Sequence, residues 1–159
     1  RLLGVDLSAS ANWADHWKTD HKFSLVKGKD LDNDGALINI PAANFKNKLI
    51  FSISQWNDFE AYLESQYVFR QNETPDNILV YSPEQQQDVL LEINTPPGAY
   101  HLLVFGSKIE FPFKNGTKLT TSLTVNNLLD TNYRDYLNRQ RFFANDLGRN
   151  IILQLKFNY

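Results

Sequence analysis

The stretch that decides the fold is the C-terminal segment Arg149-Asn-Ile-Ile-Leu-Gln-Leu-Lys-Phe-Asn-Tyr159. Its apolar side chains recur at every second position, at Ile151, Leu153, Leu155, Phe157 and Tyr159. Most of the intervening residues are polar. A period of two predicts a β-strand with one apolar and one polar face. A membrane-spanning β-strand needs about ten residues, apolar toward lipid, with an aromatic residue at the interface. The segment therefore predicts a strand of that kind.

Six further segments show the same alternation of apolar and polar side chains. They cover residues 3–13, 17–25, 49–54, 59–70, 103–113 and 119–126. Short turns are predicted at 14–16, 55–58 and 114–116, and long connections at roughly 28–46, 72–99 and 129–148. Short turns at one rim and long loops at the other are typical of outer-membrane barrels. The sequence thus predicts an all-β fold, a seven-stranded antiparallel segment of a transmembrane β-barrel.

Aromatic side chains gather near the rim that carries the predicted short turns. They are Trp13, Trp17, Trp56, Phe59, Phe111, Phe113, Phe157 and Tyr159. Aromatic residues of membrane barrels lie where lipid meets water. We therefore predict one interfacial aromatic girdle at this rim, and contact of the strands with outer-membrane lipid.

Composition excludes several classes of function. The net charge is −2, from 16 basic and 18 acidic residues, so there is no electrostatic basis for binding nucleic acid. Cysteine is absent, which excludes disulfides and thiol chemistry in this chain. No catalytic motif emerges, and we do not expect an enzyme.

The predicted strand number bears on how much of a protein the chain represents. Bacterial single-chain barrels normally have an even number of strands, whereas seven are predicted here. We therefore expect residues 1–159 to be the C-terminal portion of a larger barrel. Two alternatives stay open. One is a small, complete outer-membrane barrel acting as an adhesin or structural protein. The other is a soluble β-sandwich binding module.

A family resemblance lies in the last third of the chain. In Leu123–Leu137 and Arg141–Ile151, ten residues match in order and spacing a C-terminal motif of TonB-dependent outer-membrane receptors. The matching residues are Asn127, Leu128, Leu129, Asp130, Tyr133, Arg134, Leu137, Gly148, Arg149 and Asn150. A looser resemblance covers residues 40–45, where Asn44 stands in place of the family's usual arginine.

This resemblance implies a function, a location and partners. The seven strands would be the last seven of a 22-stranded plugged barrel in the outer membrane of a Gram-negative bacterium. The whole receptor would import a scarce ligand, most simply a metal chelate (siderophore), haem or a metal ion. The partners implied are the remaining barrel strands and a plug domain, which lies outside this chain. The TonB complex would act through an absent N-terminal region.

One acidic segment is a candidate calcium site. Asp30, Asp32 and Asp34 alternate before Gly35, as at the start of an EF-hand loop. The twelfth position of such a loop would be Pro41 rather than the bidentate glutamate. An ordinary hydrophilic loop tip is the competing interpretation, and we expect no other cofactor.

A second group of candidate residues lies near the presumed extracellular rim. Arginine and aromatic side chains there suit an anionic or ring-containing ligand, through ion pairing and stacking. The predicted ligand-binding residues are His101, Arg139, Arg141, Phe142 and Phe143. The competing interpretation is structural, with Arg134 and Asp135 pairing locally to fasten the loop to the wall.

Overall fold

The structure is a computed structural model that describes residues 1–159 except for the side chain of Asn115. The strands are β1 Leu2–Ala14, β2 Trp17–Gly28, β3 Asn44–Ile53, β4 Phe59–Val68, β5 Ile78–Ser82, β6 Gln87–Leu91, β7 Tyr100–Pro112, β8 Lys118–Asn126 and β9 Asn150–Asn158. Single 3₁₀ turns, Ser54–Trp56 and Lys114–Gly116, lie in two of the predicted short connections. No helix among the described residues is long and apolar enough to cross a membrane.

Seven of the strands form one antiparallel sheet, which confirms the predicted fold class. Their order is β1-β2-β3-β4-β7-β8-β9, so each strand pairs with its neighbour in this series. Within the described residues, β1 and β9 are edges and do not pair with each other, so the sheet is open. The remaining two strands, β5 and β6, form a separate hairpin inside the connection that the sequence predicted as an unstructured loop.

The register gathers the apolar side chains on one face of the sheet. One row crosses all seven strands, through Ala11, Thr19, Leu49, Leu63, Phe105, Val125 and Ile151. This face is not covered, since Leu7 is 61% exposed and Leu155 is 63% exposed. Among the described residues, only Ile40, Val68 and Tyr136 are buried apolar side chains. The sheet therefore has no second apolar layer, and its stability requires an apolar surrounding or neighbour.

The short turns of neighbouring hairpins lie at different heights along the strand direction. Glu60 lies near the start of β4 and pairs with Lys108, yet β7 runs on to Pro112 before its turn. Neighbouring hairpins are thus displaced along the strand direction. A progressive displacement of this kind tilts the strands when a sheet curls into a barrel.

Aromatic side chains lie at both ends of the apolar face. At the short-turn end, where the sequence predicts an aromatic girdle, the ring centroids of Trp17 and Phe51 are 4.8 Å apart. Aromatic side chains are not confined to this end, because a second row of them spans β2, β3 and β4 at the long-loop end. Its members are Phe23, Phe45 and Tyr67, with Phe69 against Tyr67 at 4.8 Å. Two aromatic belts that flank an apolar band are the pattern of membrane barrels.

Gly106 marks a close approach on the polar face. A Cβ atom at this position would lie 2.3 Å from the ring of Tyr62, its cross-strand neighbour. We predict that Gly106→Ala displaces the Tyr62 ring and destabilises the sheet by about 1–3 kcal/mol, the usual cost of overpacking. Thermal unfolding of the intact protein measures this cost. In a Tyr62→Ala background, Gly106→Ala should cost much less, and an equal cost in both backgrounds would contradict the contact.

Candidate functional site

Several charged side chains on the polar face of the sheet form ion pairs, two of them across strands and two within a strand. Lys48 lies 3.2 Å from Glu64 and over the Tyr62 ring at 4.0 Å. Glu110 accepts from Lys118 at 2.7 Å. These ion pairs are accessible to water, which screens them, so each contributes little to the stability of the sheet. They leave a charged but nearly self-neutralised wall, which suits contact with water or another polar surface.

A shallow cleft of about 480 Å³ lies on this wall. Its charged lining residues are Asp6, Asp20, Lys22, Lys46, Lys48 and Glu64. Three carboxylates and three ammonium groups balance, so the cleft has no strong preference for one sign of charge. Glu60, Glu64, Lys108 and Glu110 share this face, whereas Arg70 follows the end of β4.

The loop between β8 and β9 is held by side chains that bond to its own backbone. Asn127 is the most buried of the polar residues, at 3% exposed, and its φ of 49° is in the left-handed region. Its side chain accepts from the Thr131 N–H at 2.8 Å and donates to the Thr131 carbonyl at 2.9 Å. It also donates to the carbonyl of Leu147 at 3.4 Å. One amide therefore closes both ends of the loop.

Two aspartates hold the centre of the same loop. Asp135 accepts from the Tyr100 hydroxyl at 2.6 Å, which fastens the loop to β7. Asp146 accepts from the Asp135 N–H at 2.7 Å and from the Asn138 side chain at 2.8 Å. These carboxylates accept hydrogen bonds from the loop and from β7. The segment between β8 and β9 is thus a loop fastened at its ends and at its centre.

Two arginines complete this loop. Arg134 donates to Asn145 at 2.8 Å and to the carbonyl of Arg141 at 2.9 Å, whereas the competing structural interpretation had paired it with Asp135. Arg141 is only 9% exposed, and its guanidinium lies 4.4 Å from the Phe142 ring centroid. It donates to the Ile93 carbonyl at 3.1 Å. Arg141 therefore joins this loop to the base of the β5–β6 hairpin.

The structure separates the predicted ligand-binding residues. Arg139 is exposed, Phe143 is 88% exposed and Phe142 is 42% exposed, so these three face solvent at the loop surface. Arg141 is instead packed inside the loop. His101 lies on the apolar face beside Tyr67 and bonds to Ser65 at 2.8 Å, away from the loop residues. The sequence already indicates that His101 lies on the apolar face, because side chains two residues apart in a strand, such as His101 and Leu103, lie on the same face.

A cleft that the sequence did not predict lies between two long connections. It has a volume of about 360 Å³ and is lined by Pro97, Gly98, Ala99, Tyr100, Asn132, Tyr133, Arg134 and Asn145. The rings of Tyr100 and Tyr133 are 4.6 Å apart. Burial, with the negative charges of Asp146 and Asp135, raises the pKa of the Tyr133 phenol above its usual range. The residues come from distant segments, which is why sequence reasoning missed them.

The acidic segment near residue 30 forms a turn of its own. Asp30 accepts from the Asn33 side chain at 2.8 Å and the Asp32 N–H at 3.0 Å, and these bonds lower the pKa of its carboxyl. Asp34 pairs with Lys29 at 2.5 Å. Across the described residues, no three potential ligand side chains gather as a metal site. The structure thus does not bring Asp30, Asp32 and Asp34 together around a calcium position.

Comparison with known proteins bears on the fold. No family model and no curated protein matches the sequence. Among solved structures, the chain is similar to the copper transporter OprC, with a TM-score of 0.74 and 22% sequence identity. The likeness covers 97% of this chain and 22% of that transporter, so the chain spans about a fifth of its length. The open seven-stranded sheet therefore has the fold of one part of that larger protein.

Proposed function

We propose that this chain is the C-terminal portion of the barrel of a TonB-dependent receptor in the outer membrane of a Gram-negative bacterium. The observation that carries the proposal is the uncovered apolar face, which crosses all seven strands; the register shifts only at the turn end of β1, between Asn12 and Ala14. Lipid would satisfy such a face, and strands of 9–13 residues in the main sheet are long enough to span the membrane with tilt.

The polar face of the sheet supports a barrel that is filled by a plug domain rather than an empty barrel. Cross-strand ion pairs and the cleft around Lys22 and Lys46 present many hydrogen-bonding groups. A plug domain would satisfy these groups and exclude water from the barrel. The free edges of β1 and β9 would pair with the remaining barrel strands, because unpaired backbone groups cannot face lipid.

Two features support a class of ligand: the family resemblance, and the exposed arginine and phenylalanine side chains at the long-loop end of the sheet. We propose a metal chelate, haem or a metal ion as the cargo, captured by extracellular loops and passed inward when TonB acts on the plug. The similar solved structure is described as a copper transporter, which supports a metal-containing cargo. The exposed Arg139, Phe142 and Phe143 would contact an anionic or aromatic chelate.

The two alternatives fit the structure less well. A soluble β-sandwich needs a second sheet over the apolar face, and the hairpin β5–β6 does not pair with or cover the main sheet. A small complete barrel needs its first and last strands to pair, whereas β1 and β9 are both edges within the described residues. A segment of a larger barrel satisfies both observations.

The proposed function is tested on the intact protein in its native membrane. We expect a band several times larger than 18.4 kDa that migrates differently before and after boiling. Uptake of a ferric chelate, haem or Cu²⁺ should depend on this protein and be lost when TonB is inactivated. A native membrane species near 18.4 kDa would contradict the importer and favour the small barrel. A soluble species would exclude both.

A further inference from the structure

The β5–β6 hairpin stands apart from the main sheet. We call residues 76–92 the acidic hairpin. Its strands pair with each other from Ile78 opposite Leu91 to Ser82 opposite Gln87. Neither strand packs substantially against any strand of the main sheet. An isolated two-stranded hairpin is at best marginally stable in water, so a third element would stabilise it.

Both faces of the acidic hairpin are apolar and exposed. On one face, Leu79 is 67% exposed and Leu90, directly opposite, is 50% exposed. On the other face, Ile78 is 48% exposed and Leu91 is 42% exposed. Exposed apolar side chains on two sides of one small element mark an interaction site more often than a free surface.

The charge of the acidic hairpin has a single sign. The sequence contains no lysine or arginine between Arg70 and Lys108. Its carboxylates are Asp76, Glu84, Asp88 and Glu92. None of these four forms an ion pair with another described residue. A partner that neutralises them must be cationic.

The outer edge of β6 is open to pairing. Natural edge strands are usually protected by lysine, proline or a bulge. β6 has the sequence Gln87-Asp-Val-Leu-Leu91, in which Asp88 is the single charged residue and lysine, proline and a bulge are absent, and it pairs only with β5 in the described structure. Asp88 lies within this edge and Glu92 follows it directly, whereas β5 contains no charged residue. The β6 edge therefore combines free backbone groups with negative charge.

The base of the acidic hairpin is held firmly, so the edge is presented in a defined position. The Asn77 side chain accepts from the Asn94 N–H at 3.1 Å, and Asn94 donates to the Asp76 carbonyl at 2.8 Å. Arg141 donates to the carbonyl of Ile93, the residue before Asn94, at 3.1 Å. A fixed strand loses less entropy on binding than a mobile loop does.

We infer that the β6 edge binds an extended polypeptide segment in which basic and apolar residues alternate, added as a third strand. Backbone hydrogen bonds to β6 would supply affinity, and alternate side chains would supply specificity. On one face a lysine or arginine would lie beside Asp88. On the other face of the hairpin, apolar side chains of the bound segment would cover Val89 and Leu91. The inference does not depend on the proposed import function, since it requires only that the hairpin face the medium.

The test uses the intact protein in detergent and a labelled seven-residue peptide of alternating lysine and valine. We expect saturable binding by fluorescence anisotropy, with no binding of the corresponding glutamate–valine peptide. Asp88→Lys should weaken binding about five- to tenfold, because a cross-strand attraction becomes a repulsion. Glu84→Lys, the same charge change at the hairpin tip outside β6, is the matched control and should change affinity less than about twofold.

A second peptide separates strand addition from simple charge attraction. N-methylation of every residue removes the N–H groups of both peptide edges and should abolish binding. Equal binding of the methylated peptide, or equal weakening by Asp88→Lys and Glu84→Lys, would overturn the inference in favour of diffuse electrostatics. A Val89→Cys variant that a thiol reagent does not label in the intact protein would also overturn it. That result would show that another loop or a second copy covers the edge.

Discussion

Leu153→Arg is expected to block assembly of the protein in the outer membrane. Leu153 lies near the middle of β9, opposite Leu123 on the apolar face, and is 66% exposed. If this face contacts lipid, a guanidinium near the bilayer midplane costs about 2–4 kcal/mol. That cost is a large fraction of the stability of an ordinary domain. The expected result is a strong decrease in folded, heat-modifiable protein in outer-membrane fractions.

Gln154→Arg is the matched control for this prediction. Gln154 is the next residue of β9 and lies on the polar face opposite Ser122. The same new side chain there would meet water or a polar plug, so we expect a change within about 0.5 kcal/mol and normal assembly. Equal loss in both variants would contradict a lipid-facing orientation. Equal tolerance of both would point instead to an apolar face exposed to water.

Asn127→Asp is expected to open the loop between β8 and β9. The substitution preserves shape but replaces an amide donor by a carboxylate oxygen facing the carbonyls of Thr131 and Leu147. Because Asn127 is 3% exposed, the new charge would be buried without a counter-charge. We expect a cost of about 2–4 kcal/mol, from lost hydrogen bonds and the burial of charge. Limited proteolysis should then cleave within residues 128–148.

The neighbouring amide provides the control. Asn126 lies on the polar face opposite Asn150, and its side chain has no hydrogen-bond partner among the described residues. Asn126→Asp should therefore leave both proteolysis and thermal unfolding nearly unchanged. If it opens the loop as readily as Asn127→Asp does, the closing role of Asn127 is wrong.

The sequence anticipated the seven-stranded sheet because alternation is a local property. Each segment such as 103–113 shows its apolar face without reference to any other segment. The sequence did not predict the acidic hairpin, because its first strand lacks this alternation. Its run Ile78-Leu79-Val80-Tyr81 has no alternation, since both of its faces are apolar. Such a run between Pro75 and Pro83 was nevertheless a signal for a short strand.

The candidate site was only partly predictable. Asn127, Tyr133 and Arg134 belong to a motif visible in the sequence, but their partners do not. The Leu147 carbonyl that Asn127 binds, the Tyr100 ring beside Tyr133 and the Arg141 carbonyl that Arg134 binds come from positions fixed by strand pairing and loop packing. A motif indicates that residues act together, whereas their partners depend on contacts distant in the chain.

By itself, the sequence determined an all-β chain with one apolar face per strand and short turns at one end, since these follow from side-chain period and turn residues. Only the tertiary structure decided that the apolar faces join into one surface, because a slip of one residue in register would turn a strand over. It also decided that Arg141 is buried in the loop while Phe143 is 88% exposed, because the burial of each side chain depends on which residues pack against it.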